Sequence, residues 1–320
     1  MNENKRIGVG IIGLGGVGQK LLQTFLQHPS SEVWAVCDNN ETLLSHTVSS
    51  INHVTGSTSY EDVIQNDNVD LVYIAVPPKY HFPIVMKAME SKKHILCEKP
   101  LANSVDEAEA MCRAATQANI VHAMNFPTFF RPSYREFSRR IQEGAIGNLR
   151  RIEITTHFPV WPRAWQQNAW IGSREQGGFV REVIPHFIQL ILAQFGALHN
   201  VTSYVEYPED PHACETGIIA LMELENHIPV VVNGMSSAAP VEHVSLTAIG
   251  TQGTLSLANW NQLLFAARGE SQQPIILEEK DHLHELVDFV LQSIIGRNAT
   301  VIDFSTGLQV QRILEKLYNI

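Results

Sequence analysis

The chain has 320 residues, room for two domains, and its 44% apolar and 18% charged content is that of a globular protein with a sizeable core. Its 23 basic and 33 acidic residues leave a net charge of −10, which argues against a nucleic-acid surface built on clustered lysine and arginine. The four cysteines at 37, 97, 112 and 214 form no CxxC pair and suit a reducing, cytoplasmic setting, and no run is long and apolar enough to span a bilayer.

The polar start, residues 1–6, leads into a glycine-containing apolar stretch and reads as the approach to a first strand, not as a signal peptide. That strand covers 7–12. It runs into Gly13-Leu14-Gly15-Gly16-Val17-Gly18, a G-x-G-x-x-G, and then into a helical stretch over 17–28. In such a turn the first glycine allows the tight bend, the second lets the backbone approach a pyrophosphate, and the third lets helix and strand pack closely. The helix N-terminus offers free N–H groups and a positive dipole end to phosphates. Glycine-rich turns are common, so context carries the reading. A second strand over 32–37 ends in Asp38, 20 residues after Gly18, where a dinucleotide fold places an acid for the adenosine ribose. Asp38 also reads as an N-cap for the helix expected over 41–50. No Arg or Lys stands among Asn39, Asn40 and Glu41 to pair with a 2′-phosphate, which favours NAD over NADP.

The alternation continues with a short helix over 60–65 and a buried strand over 70–76 stopped by Pro77-Pro78. An amphipathic helix over 81–91 precedes the apolar run His94-Ile95-Leu96-Cys97, which ends abruptly in Glu98-Lys99-Pro100. Ser104 and Glu107 suggest a capping box for a helix to about residue 118, and 120–125 is counted as the sixth strand, the third not being delimited. Strands alternating with helices mean a doubly wound parallel sheet. Gly13, Asp38, Pro77, Lys99 and Asn125 then gather at the carboxyl edge of the strands, where such sheets bind ligands. Taken alone, Glu98-Lys99 could equally be a solvated turn pair.

Beyond Asn125 the pattern changes. A loop over 126–132 and a helix over 133–143 lead through Gly144-Ala145-Ile146-Gly147 to an alternating strand over 150–158. Trp161, Arg163, Trp165 and Trp170 follow in a proline-containing segment that reads either as loop packing or as a wall of a ligand pocket, since aromatic faces stack on sugar rings. Gly177-Gly178 opens an apolar helix to residue 195 carrying Glu182 and His186, four apart. Pro185 weakens the expectation that both are helical, and a hydrogen-bonded core histidine is the alternative for His186. Strands are expected over 201–206, 216–224, 229–235, 244–250, 253–257 and 262–267 as antiparallel hairpins of one large open sheet, then helices over 281–295 and 305–319. No metal motif and no Ser-His-Asp signature appears.

The glycine fingerprint, Pro77-Pro78 with His81, Glu98-Lys99-Pro100, the Gly144–Gly147 break and the glycine pair leading to His186 together resemble the Gfo/Idh/MocA family of glucose–fructose oxidoreductase and inositol dehydrogenase. The Glu-Lys-Pro motif is the specific part, and the resemblance runs along essentially the whole chain. It implies an α/β protein: a Rossmann domain, expected over 1–125, and a substrate-binding and dimerisation domain with a large, mostly antiparallel open sheet, expected over 126–320, with the last helix able to pack back on the first domain. It implies reversible hydride transfer between nicotinamide and a hydroxyl or carbonyl of a sugar, cyclitol or related polyol, in a homodimer or homotetramer. Lys99 matches the family lysine that hydrogen-bonds the reacting oxygen and His186 the family acid–base histidine. Glu182 and Ile184 stand where the family has an aspartate and a glycine, which marks a divergent branch. The expected cofactor-binding set is Gly13, Gly15, Gly16, Val17, Gly18, Asp38, Pro77, His81, Glu98, Lys99 and Asn125. Asn125, Trp161, Arg163 and Trp165 are the expected substrate contacts. A cofactor-binding sensor without catalysis, and a glycosidase using NAD transiently, are the alternatives.

Overall fold

The computed structural model describes residues 6–166, 168–238 and 241–319. The chain divides into two compact units. The first holds the residues up to Pro127 and Leu283–Gln311; the second holds Thr128–His282 and the residues from Arg312 on. The division after Pro127 lies two residues beyond the boundary expected from the sequence, and the 283–311 stretch returns to the first unit.

The first unit begins with β1 (Ile7–Ile12), α1 (Gly16–Gln27), β2 (Ser31–Cys37), α2 (Glu41–Ser49), β3 (Thr55–Ser57), α3 (Tyr60–Gln65) and β4 (Leu71–Ile74). It continues with α4 (His81–Glu90), β5 (His94–Glu98), α5 (Val105–Ala118) and β6 (His122–Asn125). All strands are parallel, in the order β3-β2-β1-β4-β5-β6, so the order reverses at β1 beside β4. Every residue of β1 is buried, and Ile95, Leu96 and Cys97 of β5 are fully so, as the continuous apolar runs require in a sheet covered on both faces. The edge strand β3 has three residues, too few to leave a pattern in the sequence. Ser104 caps α5 by accepting from the Glu107 N–H at 3.2 Å, while Glu107 Oε2 reaches back to the Asn103 N–H at 3.1 Å.

In the second unit α6 (Pro132–Gln142), β7 (Leu149–Phe158) and α7 (Phe179–Phe195) precede β8 (Leu198–Glu206), β9 (Gly217–Leu224), β10 (Pro229–Ser236), β11 (His243–Gly250), β12 (Gly253–Ala258), β13 (Gln262–Ala267) and β14 (Gln273–Ile275). These strands form one sheet, β14-β13-β12-β11-β7-β10-β9-β8, antiparallel except where β7 and β10 pair in parallel at its centre. Its inward residues alternate cleanly, as along β9 and β10, and α6 and α7 cover that face. The last helices are α8 (His282–Ile294) and α9 (Phe304–Tyr318). The division between the units falls within both.

Helix α7 runs to Phe195 as expected and continues through the proline that weakened the reading of its first turns. Pro185 lies inside it as its seventh residue, and Glu182 and His186 are both helical. An interior proline costs about 3 kcal/mol through its missing N–H and ring clash. Against that, Phe179, Val180, Val183, Ile184, Phe187, Ile188, Leu190 and Ile191 are all buried, which supplies on the order of 10 kcal/mol. Tertiary burial therefore carries the helix through its proline.

Candidate active site

The glycine turn of the first unit is shaped by what surrounds each glycine. Gly13 adopts φ +97°, and a Cβ there would overlap the Ala75 carbonyl. A Cβ on Gly18 would overlap the Gly13 carbonyl, so this glycine lets α1 sit on the turn. Gly15 and Gly16 differ: the space where their side chains would stand is open to 4 Å, and Val17 beside them is exposed. An open glycine face at a helix N-terminus fits a pyrophosphate. The Asp38 carboxylate completes this edge. Its Oδ2 accepts from the Leu14 N–H at 2.7 Å and its Oδ1 from the Asn40 N–H at 2.8 Å, which fixes the acid against the glycine turn. The cap of α2 falls to Asn40, whose side chain accepts from the Leu43 N–H at 3.1 Å, not to Asp38.

Two strands along, Glu98 ends β5 in register with Asn125 at the end of β6. Tyr73 of β4 donates its hydroxyl to Glu98 Oε1 at 2.6 Å, and the Asn125 amide donates to the same oxygen. Burial holds the Tyr73 phenol well above its ordinary range, so it remains a donor. Asn125 is buried, and its Oδ1 has no hydrogen-bond partner among the described residues. The three groups latch the ends of β4, β5 and β6 together. Half-buried Lys99 follows directly, joined to Pro100 by a cis peptide bond. Sequence reasoning missed Tyr73, although a tyrosine inside an aliphatic buried strand always poses the question of a partner for its hydroxyl.

His81 has a different task from the cofactor contact expected of it. It is fully buried, with Nδ1 3.0 Å from the Pro100 carbonyl oxygen and Nε2 2.9 Å from that of Val76. Burial pushes its pKa down. The ring ties the segment after β4 to the segment after β5, and so holds Pro77 and Lys99 in place from behind. Pro77 itself is partly exposed at the head of a short 3-10 turn.

In the second unit His186 lies on α7, whose first residue follows Gly178. That glycine has no capping side chain and a φ of +98°. The cap comes from far away in sequence: Glu215 Oε1 accepts from the Val180 N–H at 2.8 Å. Burial raises the Glu215 carboxyl to about 7, opposed by that hydrogen bond and by Arg181. His186 Nδ1 lies 3.1 Å from the Thr128 hydroxyl, and its ring stands perpendicular to that of Trp260 at 5.9 Å. Neither Thr128 nor Trp260 has a sequence signal. Glu182 is half-buried one turn before His186 on α7.

The aromatic segment after β7 resolves into separate roles. Trp161 donates its indole N–H to the Ile171 carbonyl at 3.2 Å and packs against Phe158 and Phe179. Arg163 is paired twice with Glu242, at 3.0 and 2.9 Å, and its guanidinium lies 4.7 Å from the Phe158 ring centre. These two residues, expected as substrate contacts, are committed to the protein itself. Trp165 is 64% exposed.

Comparison with known proteins agrees with this geometry. The model described as "Oxidoreductase family, NAD-binding Rossmann fold" matches residues 7–126, and the "GFO/IDH/MocA C-terminal domain" model matches residues 134–256. The uncharacterized oxidoreductase YrbE of Bacillus subtilis is 28% identical over 268 residues, 80% of this chain and 74% of that protein. Levoglucosan dehydrogenase of Pseudarthrobacter phenanthrenivorans is 28% identical over 222 residues, 65% of this chain and 56% of its own length. A levoglucosan dehydrogenase structure in complex with NADH and levoglucosan shares the fold, with a TM-score of 0.85 at 20% identity over 98% of this chain and 96% of that one. Among the described residues no helix is long and apolar enough to cross a membrane. With the parallel sheet, its open glycine turn and both domain models in agreement, the chain belongs to the Gfo/Idh/MocA family of NAD-binding oxidoreductases.

Proposed function

We propose that this protein is an NAD-dependent dehydrogenase that moves a hydride between nicotinamide and a secondary hydroxyl or carbonyl of a sugar, cyclitol or related polyol. The observation that carries the reading is the latch of Tyr73, Glu98 and Asn125, which fixes the strand end from which Lys99 emerges, on the sheet edge that also bears the open glycine turn and Asp38. When bound, NAD supplies the hydride acceptor. The side chains do the rest. The Asp38 carboxylate accepts from the adenosine ribose hydroxyls, and the absence of a basic residue at 39–41 favours NAD over NADP. The Lys99 ammonium hydrogen-bonds the reacting oxygen and steadies negative charge there. In oxidation the substrate C–H bond breaks with its electron pair leaving as hydride, the C=O bond forms, and the hydroxyl proton passes to His186; reduction runs these steps in reverse. Glu182, one helical turn earlier, orients His186. The resemblance to a levoglucosan dehydrogenase supports a sugar-like substrate, and the continuous helix through Pro185 keeps Glu182 and His186 on one face, which favours catalysis over sensing.

The test is a panel of sugars, anhydrosugars and cyclitols with NAD, followed by NADH absorbance. Accumulation of NADH with one class of polyol is expected. Tight NAD binding with no turnover would instead establish a sensor, and glycoside cleavage without NADH accumulation a transient use of the cofactor.

The same reading carries a cytoplasmic location and a homodimer or homotetramer. Tyr204, Ile219, Leu221 and Met235 expose an apolar patch on neighbouring strands β8, β9 and β10, which suits self-association through the open face of the sheet. Sedimentation of Ile219→Asp as a smaller species than the parent would support this, and an unchanged species would remove it.

A further inference from the structure

We propose that Trp260 is a positioning residue that fixes the His186 imidazole for proton transfer, an inference that rests on the reading of His186 as the proton-transfer group. Trp260 sits at the tip of the β12–β13 hairpin. Ala258 pairs with Gln262, which leaves Asn259-Trp260-Asn261 as the loop, and Trp260 adopts φ +71°. Asparagine and glycine take that conformation readily; a bulky side chain does so against steric resistance. Strain of this kind persists only where surrounding contacts over-determine it.

Those contacts come from four separate segments. Arg131 donates from Nη1 to the Trp260 carbonyl at 3.0 Å, and the indole N–H points to Glu242 Oε1 at 3.4 Å. Glu242 is clasped by Arg163, whose guanidinium also lies 5.6 Å from the Trp260 ring centre. Phe187 stacks on the indole at 5.9 Å and 15°, while the neighbouring His186 ring meets it at 89°. The carbonyl, the N–H and the ring of Trp260 are thus each held, and the side chain they hold bears on His186.

Thr128 supplies a second constraint. Its hydroxyl engages Nδ1 at 3.1 Å, with donor and acceptor set by the imidazole tautomer. A hydrogen bond in the ring plane does not by itself oppose rotation of the imidazole about that bond, and the perpendicular indole does. The strained tip places the wall, and Glu242 with Arg163, the latter expected from the sequence as a substrate contact, braces it.

The test compares the parent with W260G and W260F. Glycine removes the ring and also the φ strain, whereas phenylalanine keeps an aromatic wall and loses the bond to Glu242. Histidine-labelled NMR reads the His186 resonances, assigned by their loss in H186N. The shift set by the perpendicular indole should disappear and the lines broaden in W260G, with W260F intermediate. With NAD and either levoglucosan or myo-inositol as probe, kcat should fall about tenfold to a hundredfold in W260G, KM and NAD affinity should stay within about twofold, and W260F should recover part of kcat. Unchanged His186 resonances in both variants would overturn the proposal, as would a W260G that keeps kcat and loses only KM. Should W260G fail to fold, the resonances of W260F decide alone. Absence of turnover by the parent would count against the dehydrogenase reading, while the resonance comparison would still decide the role of Trp260.

Discussion

The two candidate clusters are built by different means. In the first unit Leu14 and Asp38 are 24 residues apart, Tyr73 and Glu98 are 25 apart, and Glu98 and Asn125 are 27 apart. Each interval is about one strand-plus-helix repeat of a doubly wound sheet, so residues one repeat apart arrive at the same edge automatically. In the second unit the corresponding separations are 58 for Thr128 and His186, 79 for Arg163 and Glu242, and 129 for Arg131 and Trp260. Nothing periodic brings these together; only the closed fold does. The repeat-built cluster is expected to fail first when its own chemical groups are removed. A site assembled from distant loops fails when its braces are removed, with its chemical groups still present.

The sharpest break of this comparison is Lys99→Met. The bonds from Tyr73 and Asn125 to Glu98 involve no atom of Lys99, so the variant should fold and bind NAD nearly as the parent does. Turnover should fall by roughly 10²- to 10⁴-fold, as expected for removal of a charged donor at the reacting oxygen. Steady-state kinetics with NAD titration checks this, and unchanged turnover would remove Lys99 from the site.

Paired glycine substitutions come next. Gly15 has φ −61° and open space around it, so Gly15→Ala should unfold within about 0.5 kcal/mol of the parent and bind NAD more weakly, its methyl group occupying the phosphate face. Gly178 has φ +98°, and a methyl group there would overlap the Glu215 carboxylate. Gly178→Ala should therefore cost roughly 3 kcal/mol or more through strain and loss of the cap on α7. Thermal unfolding and NAD titration of both variants separate the two outcomes. Equal stability of the pair would contradict the contrast drawn between the clusters.

The same contrast explains what could be read from the sequence. The six-stranded parallel sheet and the strand-end positions of Gly13 to Gly18, Asp38, Glu98 and Lys99 were legible because local pattern and strand ends coincide there. The strands of the second sheet were legible too, by alternation. The three-residue strands β3 and β14 were not, being shorter than any pattern. His81 looked like a cofactor contact because it follows the Pro77-Pro78 step, yet its ring is spent on the Val76 and Pro100 carbonyls. Pro185 weakened, by a local rule, the expectation that Glu182 and His186 are both helical, and burial of α7 overrode it. For Trp161 and Arg163 loop packing and ligand contact stayed open alternatives, because their partners, Ile171 and Glu242, cannot be inferred from the residues around them. Thr128, Glu215 and Trp260 carry no motif at all, since each matters only for what the fold sets beside it.

Glu215 offers the finest test, because it braces α7 without touching His186. Burial lifts its carboxyl from 4.5 to about 7 in the folded protein. The folded state then holds this proton more tightly than the unfolded chain does. The stability contributed is fully present below pH 4.5 and is lost as the pH rises through 7, up to roughly 3 kcal/mol for a shift of this size. Glu215→Gln keeps an oxygen to accept from the Val180 N–H and cannot titrate. Relative to this variant, the parent should lose stability steadily between pH 4.5 and 7 and run parallel to it above. Chemical denaturation of both proteins at intervals across that range measures the difference directly. A constant difference would mean that Glu215 remains an ordinary carboxylate in its buried site, and that the cap on the helix bearing His186 is a permanent negative charge, not one that protonation can remove near neutral pH.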